Sequence, residues 1–493
     1  MEFLKKWREP VFQAFISIVL LILMISCGMI PPKYIGIAVL ITLLLLALTF
    51  LAVRSRITAV RSVGTILAVL ICLVFVLGSL CIQYVMNKLN QIAGADTQTE
   101  YVIVLVNDSN NVRAIADTPG FKFGVFKGAD PELVDEMIDD VGQINGEGEL
   151  HKQVFDSPLT LTEALLEGDV DAVILNKAYL SLIEESVPDY SSRTKILYEK
   201  EYETDTARRE ELSDMDEDQT GTEQSEDEIP GSRKSDSLTD EPFNVLISGI
   251  DVNGPISTTS RSDVNIIMTV NPQKQRVLLT TTPRDYYVYI PNISGDKRDK
   301  LTHAGIYGGK SSMKTLENLY GIGISDYIRI NFDSLIQLVD VLGGVDVNSE
   351  MEFDSRSYHF VKGMNHLNGD QALSFIRQRY AFIDGDNQRR KNQMIVLAAI
   401  LKKLQSPAVL KNPGNVMDVI SRSMETSITT SQITKAISWQ LDNGYSWEIS
   451  RQSVNGTDDS QETFSMPGTD LFVIWPDEVS VSEASGKIRD EFR

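Results

Sequence analysis

The sequence predicts a membrane-anchored α/β protein: three N-terminal transmembrane helices, a small α/β accessory domain, and a larger α/β domain with a mixed central sheet flanked by helices. Three observations carry this prediction. Three long apolar stretches fill the first 90 residues. Strand-like and helix-like segments alternate through the rest of the chain, and an acidic segment divides them into two groups. We expect a membrane domain at 1–90, an accessory domain at 98–203, a linker at 204–241 and the larger domain at 242–484.

The apolar stretches lie at about 11–30, 34–53 and 63–85. Each is close to the roughly 20 residues that an α-helix needs to cross a bilayer. Positively charged loops stay on the cytoplasmic side, so the Lys/Arg bias predicts a cytoplasmic N-terminus and an extracellular chain after about residue 88. The residues that give this bias are Lys5, Lys6, Arg8, Arg54, Arg56 and Arg61.

Composition excludes some partners and some means of stabilisation. The formal net charge is -22, which argues against nucleic acid, because a phosphate backbone requires a basic face. All 3 cysteines, Cys27, Cys72 and Cys81, lie within the apolar stretches. The outer part therefore has no cysteine for a disulfide, and we expect its stability to come from ordinary hydrophobic cores.

The accessory domain begins with the strand-like segments 101–106 and 121–126 and a helix-like segment at 131–144. It shows no metal-ligand spacing and no cluster of titratable residues, so we interpret it as a packing or recognition module. The segment 204–241 is rich in Asp, Glu, Ser and Thr and nearly free of apolar residues. Such a segment cannot bury enough surface to offset its chain entropy, and we predict a disordered linker.

In the larger domain, charged residues stand at the ends of predicted strands. Asp251 ends the first strand, Arg261 and Asp263 precede the second, and Arg284 and Asp285 follow the third. Ligands of open α/β sheets bind in the crevice at strand ends. Arg284 and Asp285 form either an anion site or a surface turn closed by their own salt bridge. Two converging carboxylates, Asp251 and Asp263, suit Mg²⁺, although both are also ordinary turn or cap residues.

A second group of charges lies between 377 and 393. Arg377 and Arg379 are two residues apart and would point to opposite sides of a helix. Both can serve one site only if the helix ends near Ile376 and the chain continues as extended backbone. Arg389 and Gln393 are four apart and share a helical face. Arginine suits bidentate phosphate recognition, whereas the alternative is a solvated cationic helix face.

Several segments in this order resemble the LytR–CpsA–Psr family from about 242 to 480. They include "SRSDVNIIMTVNP", "VLLTTTPRD", "DKLTHAGIYGG", "LNGDQALSFIRQRY" and "DGDNQRRKNQ". With the three spans and the small outer module, the chain is similar to the capsule-associated CpsA branch. The resemblance implies an α/β domain with an apolar groove for a lipid chain. It also implies transfer of a glycan polymer from a polyprenyl-pyrophosphate carrier to peptidoglycan outside the membrane.

Residue by residue, the resemblance implies that Asp251 and Asp263 bind Mg²⁺, with Mn²⁺ as an alternative. Two segments depart from the family pattern. Thr281-Thr282 replaces Ser-Ile before Pro-Arg-Asp, and Asn392 replaces an arginine and is therefore assigned no role. The residues implied to bind or surround the pyrophosphate are Arg261, Arg284, Lys300, Arg377, Arg379, Asp386, Arg389 and Gln393.

The expected catalytic residues are Asp263, Arg284 and Asp285, and either aspartate is a candidate base for the acceptor hydroxyl. The expected partners are a polyprenyl-pyrophosphate-linked capsular or exopolysaccharide, peptidoglycan, the membrane and other polysaccharide-synthesis membrane proteins, but not nucleic acid. Two hypotheses follow. The first is an Mg²⁺-dependent phosphotransferase that also has pyrophosphatase activity. The second is a non-catalytic sensor of polyprenyl pyrophosphate that regulates polysaccharide synthesis.

Overall fold

The computed structural model describes residues 2–94, 97–128, 131–205, 237–250, 256–382, 385–405, 413–444 and 447–493. Most of the predicted acidic linker lies outside the described residues, and so does Asp251, which follows the strand Phe243–Ile250 in the larger domain.

Three N-terminal helices pack against one another and are long and apolar enough to cross a membrane by length and composition. The second begins at Pro32, where the missing N–H of proline costs no intrahelical hydrogen bond. Large apolar side chains such as Leu40, Leu51 and Leu70 are exposed on the surface of these helices, which suits a lipid environment. The helices are α1 (Glu2–Ser26), α2 (Pro32–Val53) and α3 (Thr58–Ile92).

The accessory domain is a five-stranded sheet with helices on both faces. Side chains alternate along its first strand, as the period of two requires. Val102 and Val104 pack with Met137 on one face, while Ile103 and Leu105 pack in a second core on the other. The elements are β1 (Thr97–Asn107), β2 (Lys122–Val125), α4 (Pro131–Ile144), β3 (His151–Val154), α5 (Pro158–Glu167), β4 (Ala172–Asn176), α6 (Leu180–Ser186), α7 (Tyr190–Arg193) and β5 (Thr194–Asp205), and the strand order is β3-β2-β4-β1-β5.

The larger domain has a six-stranded mixed sheet, as predicted. Two of its strand pairs are parallel and three are antiparallel. The strands are β6 (Phe243–Ile250), β7 (Ser262–Asn271), β8 (Arg276–Thr282), β9 (Tyr287–Val288), β10 (Asp299–Lys300), β11 (Asp326–Asn331), β12 (Val345–Ser349), β13 (Phe353–Ser355), β14 (Tyr358–Phe360), β15 (Gly363–Leu367), β16 (Met424–Thr426), β17 (Glu448–Ser453), β18 (Gly456–Thr463) and β19 (Met466–Pro476), and the sheet order is β16-β11-β6-β7-β8-β17.

Helices cover both faces of this sheet. Leu246 and Ile267 belong to a core on one face, and Val245 and Ile266 belong to a core with Met394 on the other. The short hairpins β12–β15 and β13–β14 join a further helical core. The helices are α8 (Gly309–Tyr320), α9 (Phe332–Val341), α10 (Gly369–Arg377), α11 (Gly385–Leu404), α12 (Pro413–Ser423), α13 (Thr430–Asn443) and α14 (Glu478–Asp490).

Candidate functional site

The start of β7 and the end of β8 bring three predicted residues together, because antiparallel strands place one strand's beginning beside its neighbour's end. Pro283 follows β8 and cannot donate a ladder hydrogen bond, so the strand ends there. Arg284 then donates through Nη1 to Asp263 Oδ1 at 2.9 Å, and its Nε lies 3.4 Å from Asp285 Oδ2. The pair in the turn is therefore part of a larger ionic cluster.

Lys300 enters the same cluster from β10. The backbone N–H of Thr302 donates to the carbonyl of Arg284 at 2.8 Å, which holds the two segments side by side. Lys300 Nζ lies 3.3 Å from Asp285 Oδ1, and its side chain is only 5% exposed. The hydroxyl of Thr302 donates to Asp263 Oδ1 at 3.2 Å. The segment of Lys300 thus contacts both aspartates that were predicted to be catalytic: Lys300 contacts Asp285, and Thr302 contacts Asp263.

A glycine permits this close packing. Gly305 lies in the 3₁₀ helix Leu301–Tyr307, which packs against the residues before β7. A Cβ at this position would lie 2.5 Å from the carbonyl oxygen of Ser260 and 2.6 Å from the amide nitrogen of Ser262. Only glycine fits without a backbone shift, so Gly305 holds the Arg261 segment beside the Lys300 segment.

Glu185, which the sequence analysis did not identify, joins the site from the accessory domain. It lies at the end of α6 and accepts a hydrogen bond from Lys300 Nζ at 3.1 Å. Arg261 pairs through Nη1 with the other carboxylate oxygen of Glu185. No sequence motif marks this residue, since its partners belong to another domain far along the chain. Together the side chains form a row of alternating charges: Arg261, Glu185, Lys300, Asp285, Arg284 and Asp263.

Neighbouring charges in the row favour the charged forms of Arg284 and Glu185. Burial alone would lower the pKa of the Arg284 guanidinium, but the charges of Asp263 and Asp285 outweigh burial and raise it. Burial alone would raise the pKa of the Glu185 carboxyl, but Lys300 and Arg261 outweigh it, so that pKa lies below its ordinary value. Each ion is stabilised by the neighbour of opposite sign.

A cavity of about 720 Å³ opens beside this row. Arg284, Asp285, Lys300 and Glu185 form one part of its wall, and Arg379 lies on another. The remaining lining residues come from the turn after β8, from α11, from the turn between β17 and β18, and from the β18–β19 hairpin. They are Pro283, Gly385, Asn387, Arg390, Asn455, Gly456, Asp458, Asp470, Leu471, Phe472 and Ile474.

Of the two arginines near the end of α10, one lines the cavity and the other does not. The helix ends at Arg377, one residue beyond the predicted end, and Gln378 is extended with φ -70° and ψ 126°. Arg379 reaches the cavity wall, whereas Arg377 is exposed and is not among the cavity-lining residues. A Cβ on Gly385 would lie 2.3 Å from the carbonyl oxygen of Arg379, so the glycine allows the loop and α11 to touch.

On α11, the structure places the neighbour of a predicted residue in the cavity wall. Arg390 is 8% exposed, lines the cavity and donates to the carbonyl of Val454 at 3.0 Å. Arg389 lies on the same helix but is not among the cavity-lining residues. The family resemblance implied a role for Arg389 and none for Arg390, and spacing alone does not fix the rotation of a helix. The side chain of Asp386 lies outside the described residues.

A second pocket, of about 50 Å³, is apolar and lies between the sheet and α11. The sheet contributes Ile247 and Ile266, and the helix contributes Val396 and Leu397. Gln393 also lines this pocket rather than the polar cavity. This pocket is a candidate for the apolar lipid groove that the family resemblance implies, whose position the sequence did not predict.

The residues present are chemically suited to a hard divalent cation. No group of three or more His, Cys, Asp or Glu side chains that could hold a metal occurs within the described part of the chain. Mg²⁺ does not require such a group, because one or two carboxylates and phosphate oxygens from the substrate are usual ligands. Both contacts of Asp263 use Oδ1, which leaves Oδ2 for a metal. The second predicted ligand, Asp251, lies outside the described residues.

Parts of this chain are similar to known proteins. A Bacillus cereus protein named polyisoprenyl-teichoic acid–peptidoglycan teichoic acid transferase TagU is 37% identical over 194 residues, which cover 39% of this chain and 62% of the relative. An Enterococcus faecalis protein of the same name is 38% identical over 198 residues, covering 40% of this chain and 64% of the relative. The chain thus matches less than two thirds of the length of these relatives.

The crystal structure of B. subtilis TagU aligns with 51% of this chain and 97% of its own, at 26% identity and a TM-score of 0.41. The model of the LytR_cpsA_psr family matches residues 204–477, which is more than half of the chain. The ionic row and both pockets belong to the matched region, apart from Glu185. The protein is a member of the LytR–CpsA–Psr family.

Proposed function

We propose that this protein is a phosphotransferase that moves a glycan polymer from a polyprenyl-pyrophosphate carrier to peptidoglycan on the outer face of the cytoplasmic membrane. The observation that carries the proposal is the row of alternating charges beside a cavity of about 720 Å³, with an apolar pocket on the same sheet. A charged site and an apolar site in one domain fit a pyrophosphate attached to a lipid. The printed names of the relatives from B. cereus and E. faecalis support the same class of reaction.

The cations would stabilise the charge of the transferring and leaving phosphates. Cleavage of a phosphoanhydride depends mainly on positioning and on electrostatic stabilisation of developing negative charge. Arg284, Lys300, Arg379 and Arg390 line the cavity and supply fixed donors for phosphate oxygens. Asp263 and Asp285 hold Arg284 and Lys300 in place, so little reorganisation is needed when substrate binds.

We propose Mg²⁺, or Mn²⁺ in its place, as the cofactor, held by Asp263, by Asp251 and by phosphate oxygens of the substrate. When bound, it would act as a Lewis acid that neutralises phosphate charge. A sugar hydroxyl of peptidoglycan would form the new P–O bond while the phosphoanhydride bond breaks and the lipid monophosphate leaves. Asp285 lines the cavity and is the better placed carboxylate to accept the hydroxyl proton. With water as the acceptor, the same steps give pyrophosphatase activity.

Two contacts between the helices and the larger domain support a site close to the lipid surface. Lys33, at the start of α2, pairs with Asp442 at 2.7 Å, and Lys88, near the end of α3, pairs with Asp418 at 3.2 Å. Both contacts join the larger domain to the membrane side that the Lys/Arg bias predicts to be outer. We therefore propose a cytoplasmic N-terminus and an extracellular catalytic domain, within reach of a polyprenyl carrier.

For the polymer, we propose a capsular polysaccharide or exopolysaccharide, because the three spans and the accessory domain resemble the capsule-associated branch. A teichoic acid is the second candidate, and the names of the relatives favour it. Purified protein given each lipid-linked polymer separately would distinguish the two by the product attached to peptidoglycan.

The site assignment is tested by Arg284→Ala. The full chain in lipid nanodiscs is incubated with a polyprenyl-pyrophosphate-linked glycan, peptidoglycan and Mg²⁺, and glycan bound covalently to peptidoglycan is measured. We expect the substitution to lower kcat by about 100-fold or more, as loss of a charge-stabilising donor does. Arg276→Ala, at the exposed opposite end of β8, is the matched control and should retain transfer. Wild-type rates in Arg284→Ala would contradict the assignment.

A further inference from the structure

The accessory domain is joined to the larger domain by a shared hydrophobic core. Ile306, Met466 and Leu471 of the larger domain belong to the same buried cluster as Leu182 and Ile183 of α6. Polar contacts reinforce this packing: the hydroxyl of Ser157 donates to the carbonyl of Pro467 at 2.8 Å, and the amide of Thr99 donates to the carbonyl of Ser257 at 3.0 Å. The two domains therefore hold a fixed relative position.

This packing fixes the place of Glu185. Leu182 and Ile183 are fully buried one turn earlier in α6, so the end of the helix cannot shift without disrupting the shared core. The Glu185 side chain is 23% exposed and lines the cavity wall. Its two carboxylate oxygens contact two different cations, Lys300 and Arg261, both from the larger domain.

The contacts determine how the cations can meet a phosphate. The Lys300 ammonium has three N–H donors, and Glu185 and Asp285 engage it from two sides. This arrangement fixes the ammonium and leaves a donor for a ligand in the cavity. Without the Glu185 carboxylate, Lys300 would have only Asp285 as an anionic partner in this row, and Arg261 would lose the contact that holds its guanidinium beside the site.

We infer that the accessory domain completes the phosphate-binding site, and that Glu185 is a positioning residue that holds Lys300 and Arg261 for the pyrophosphate group of the substrate. The inference rests on the proposed function for the identity of the ligand. It gives the accessory domain a part in the reaction that the family match, which begins at residue 204, does not contain.

The test uses Glu185→Gln in the full chain, because glutamine keeps the shape of the side chain and removes the charge. Binding of inorganic pyrophosphate and of a short-chain polyprenyl pyrophosphate is measured by titration calorimetry in detergent, separately from transfer. We expect Kd for both ligands to rise about tenfold, which corresponds to losing one charge-assisted contact. Glu163→Gln, an exposed residue of α5 in the same domain, is the matched control and should leave Kd unchanged.

A double-mutant cycle separates positioning from a general loss of structure. In a Lys300→Met background, Glu185→Gln should have a much smaller effect on pyrophosphate affinity than in the wild type, because its principal partner is gone. Equal effects in both backgrounds, an unchanged Kd in Glu185→Gln, or tighter binding in that variant would each overturn the inference. The last outcome would make Glu185 a competitor of the substrate phosphate.

The binding and transfer measurements distinguish a failure of this inference from a failure of the proposed function. If the wild type binds pyrophosphate but transfers no glycan, the proposed function is wrong, and weaker binding by Glu185→Gln still supports the role of Glu185. If transfer occurs and Glu185→Gln binds normally, only the present inference is wrong. A wild type that binds neither pyrophosphate nor its polyprenyl ester would overturn both.

Discussion

At the scale of single residues, the site shows how an acidic chain keeps a buried group of cations. Lys300 is 5% exposed, and removing an ammonium from water is costly unless opposite charges replace the solvent. Glu185 and Asp285 do so for Lys300, and Asp263 and Asp285 do so for Arg284. The carboxylates therefore stabilise the cations that we propose bind phosphate.

The lowered pKa of Glu185 predicts a pH dependence of stability. A carboxyl whose pKa is lower in the folded protein than its ordinary value of 4.5 stabilises the fold fully above that value, and this stabilisation is lost as pH falls through the lowered folded-state pKa. The Tm of the wild type should exceed that of Glu185→Gln at pH 7, and the difference should shrink below about pH 4.5. Thermal unfolding of both proteins between pH 7 and 3 measures it. A difference that grows on acidification would contradict the ionic account, and Glu163→Gln should show no such trend.

At the scale of helices and strands, much of the site was predictable where local chemistry determines an element's end. Pro283 ends β8, and the helix before Arg379 ends within one residue of the predicted position. Both features depend on neighbours in sequence. The rotation of α11 depends instead on its packing, so spacing did not show that Arg390 rather than Arg389 lines the cavity. Glu185 was not predictable, because only the contact between domains gives it partners.

The apolar pocket beneath α11 gives a prediction about the lipid. Leu397 lines this pocket and is partly buried, so Leu397→Trp should fill the pocket with little disturbance of the helix. We expect affinity for a long-chain polyprenyl pyrophosphate to fall about tenfold or more, while affinity for inorganic pyrophosphate stays unchanged. Calorimetric titration with both ligands measures the two effects. Leu404→Trp, on the same helix outside the lining residues, is the control. Equal losses for both ligands would contradict a lipid site in this pocket.

A buried ion pair between β11 and β16 gives a prediction about stability. Arg329 is 2% exposed, donates to Glu425 Oε1 at 2.6 Å and donates to the carbonyl of Thr258 at 2.7 Å. Burial raises the pKa of Glu425 even though Arg329 opposes that rise. Arg329→Met leaves the carboxyl buried without this partner and should lower the free energy of unfolding by about 3–5 kcal/mol.

Denaturant unfolding of the full chain in detergent measures that loss. Arg276→Met removes an exposed pair with Glu448, whose side chains are 49% and 71% exposed, and should cost less than about 1 kcal/mol. Similar losses in the two variants would show that the buried pair contributes no more than a surface pair.

At the scale of the whole molecule, the order of the units follows from composition, but their arrangement does not. Apolar spans, two α/β segments and an acidic segment between them are visible in the sequence. The core shared by the two domains, which includes Ile306, Met466 and Leu471, is not visible in the sequence. Apolar residues that pack against another domain follow the same pattern as apolar residues that pack within their own domain. The arrangement places a residue of the accessory domain in the wall of the polar cavity and joins the larger domain to α2 and α3.

We propose that the chain catalyses transfer of a glycan to peptidoglycan and is not a non-catalytic sensor of polyprenyl pyrophosphate. The most direct test counts lipid monophosphate released per protein chain when the full chain in nanodiscs receives excess polyprenyl-pyrophosphate-linked glycan, peptidoglycan and Mg²⁺. We expect many molecules of lipid monophosphate to be released per chain, with an equal amount of glycan bound to peptidoglycan. Tight binding of the lipid-linked glycan with no release of monophosphate would contradict it and identify a sensor.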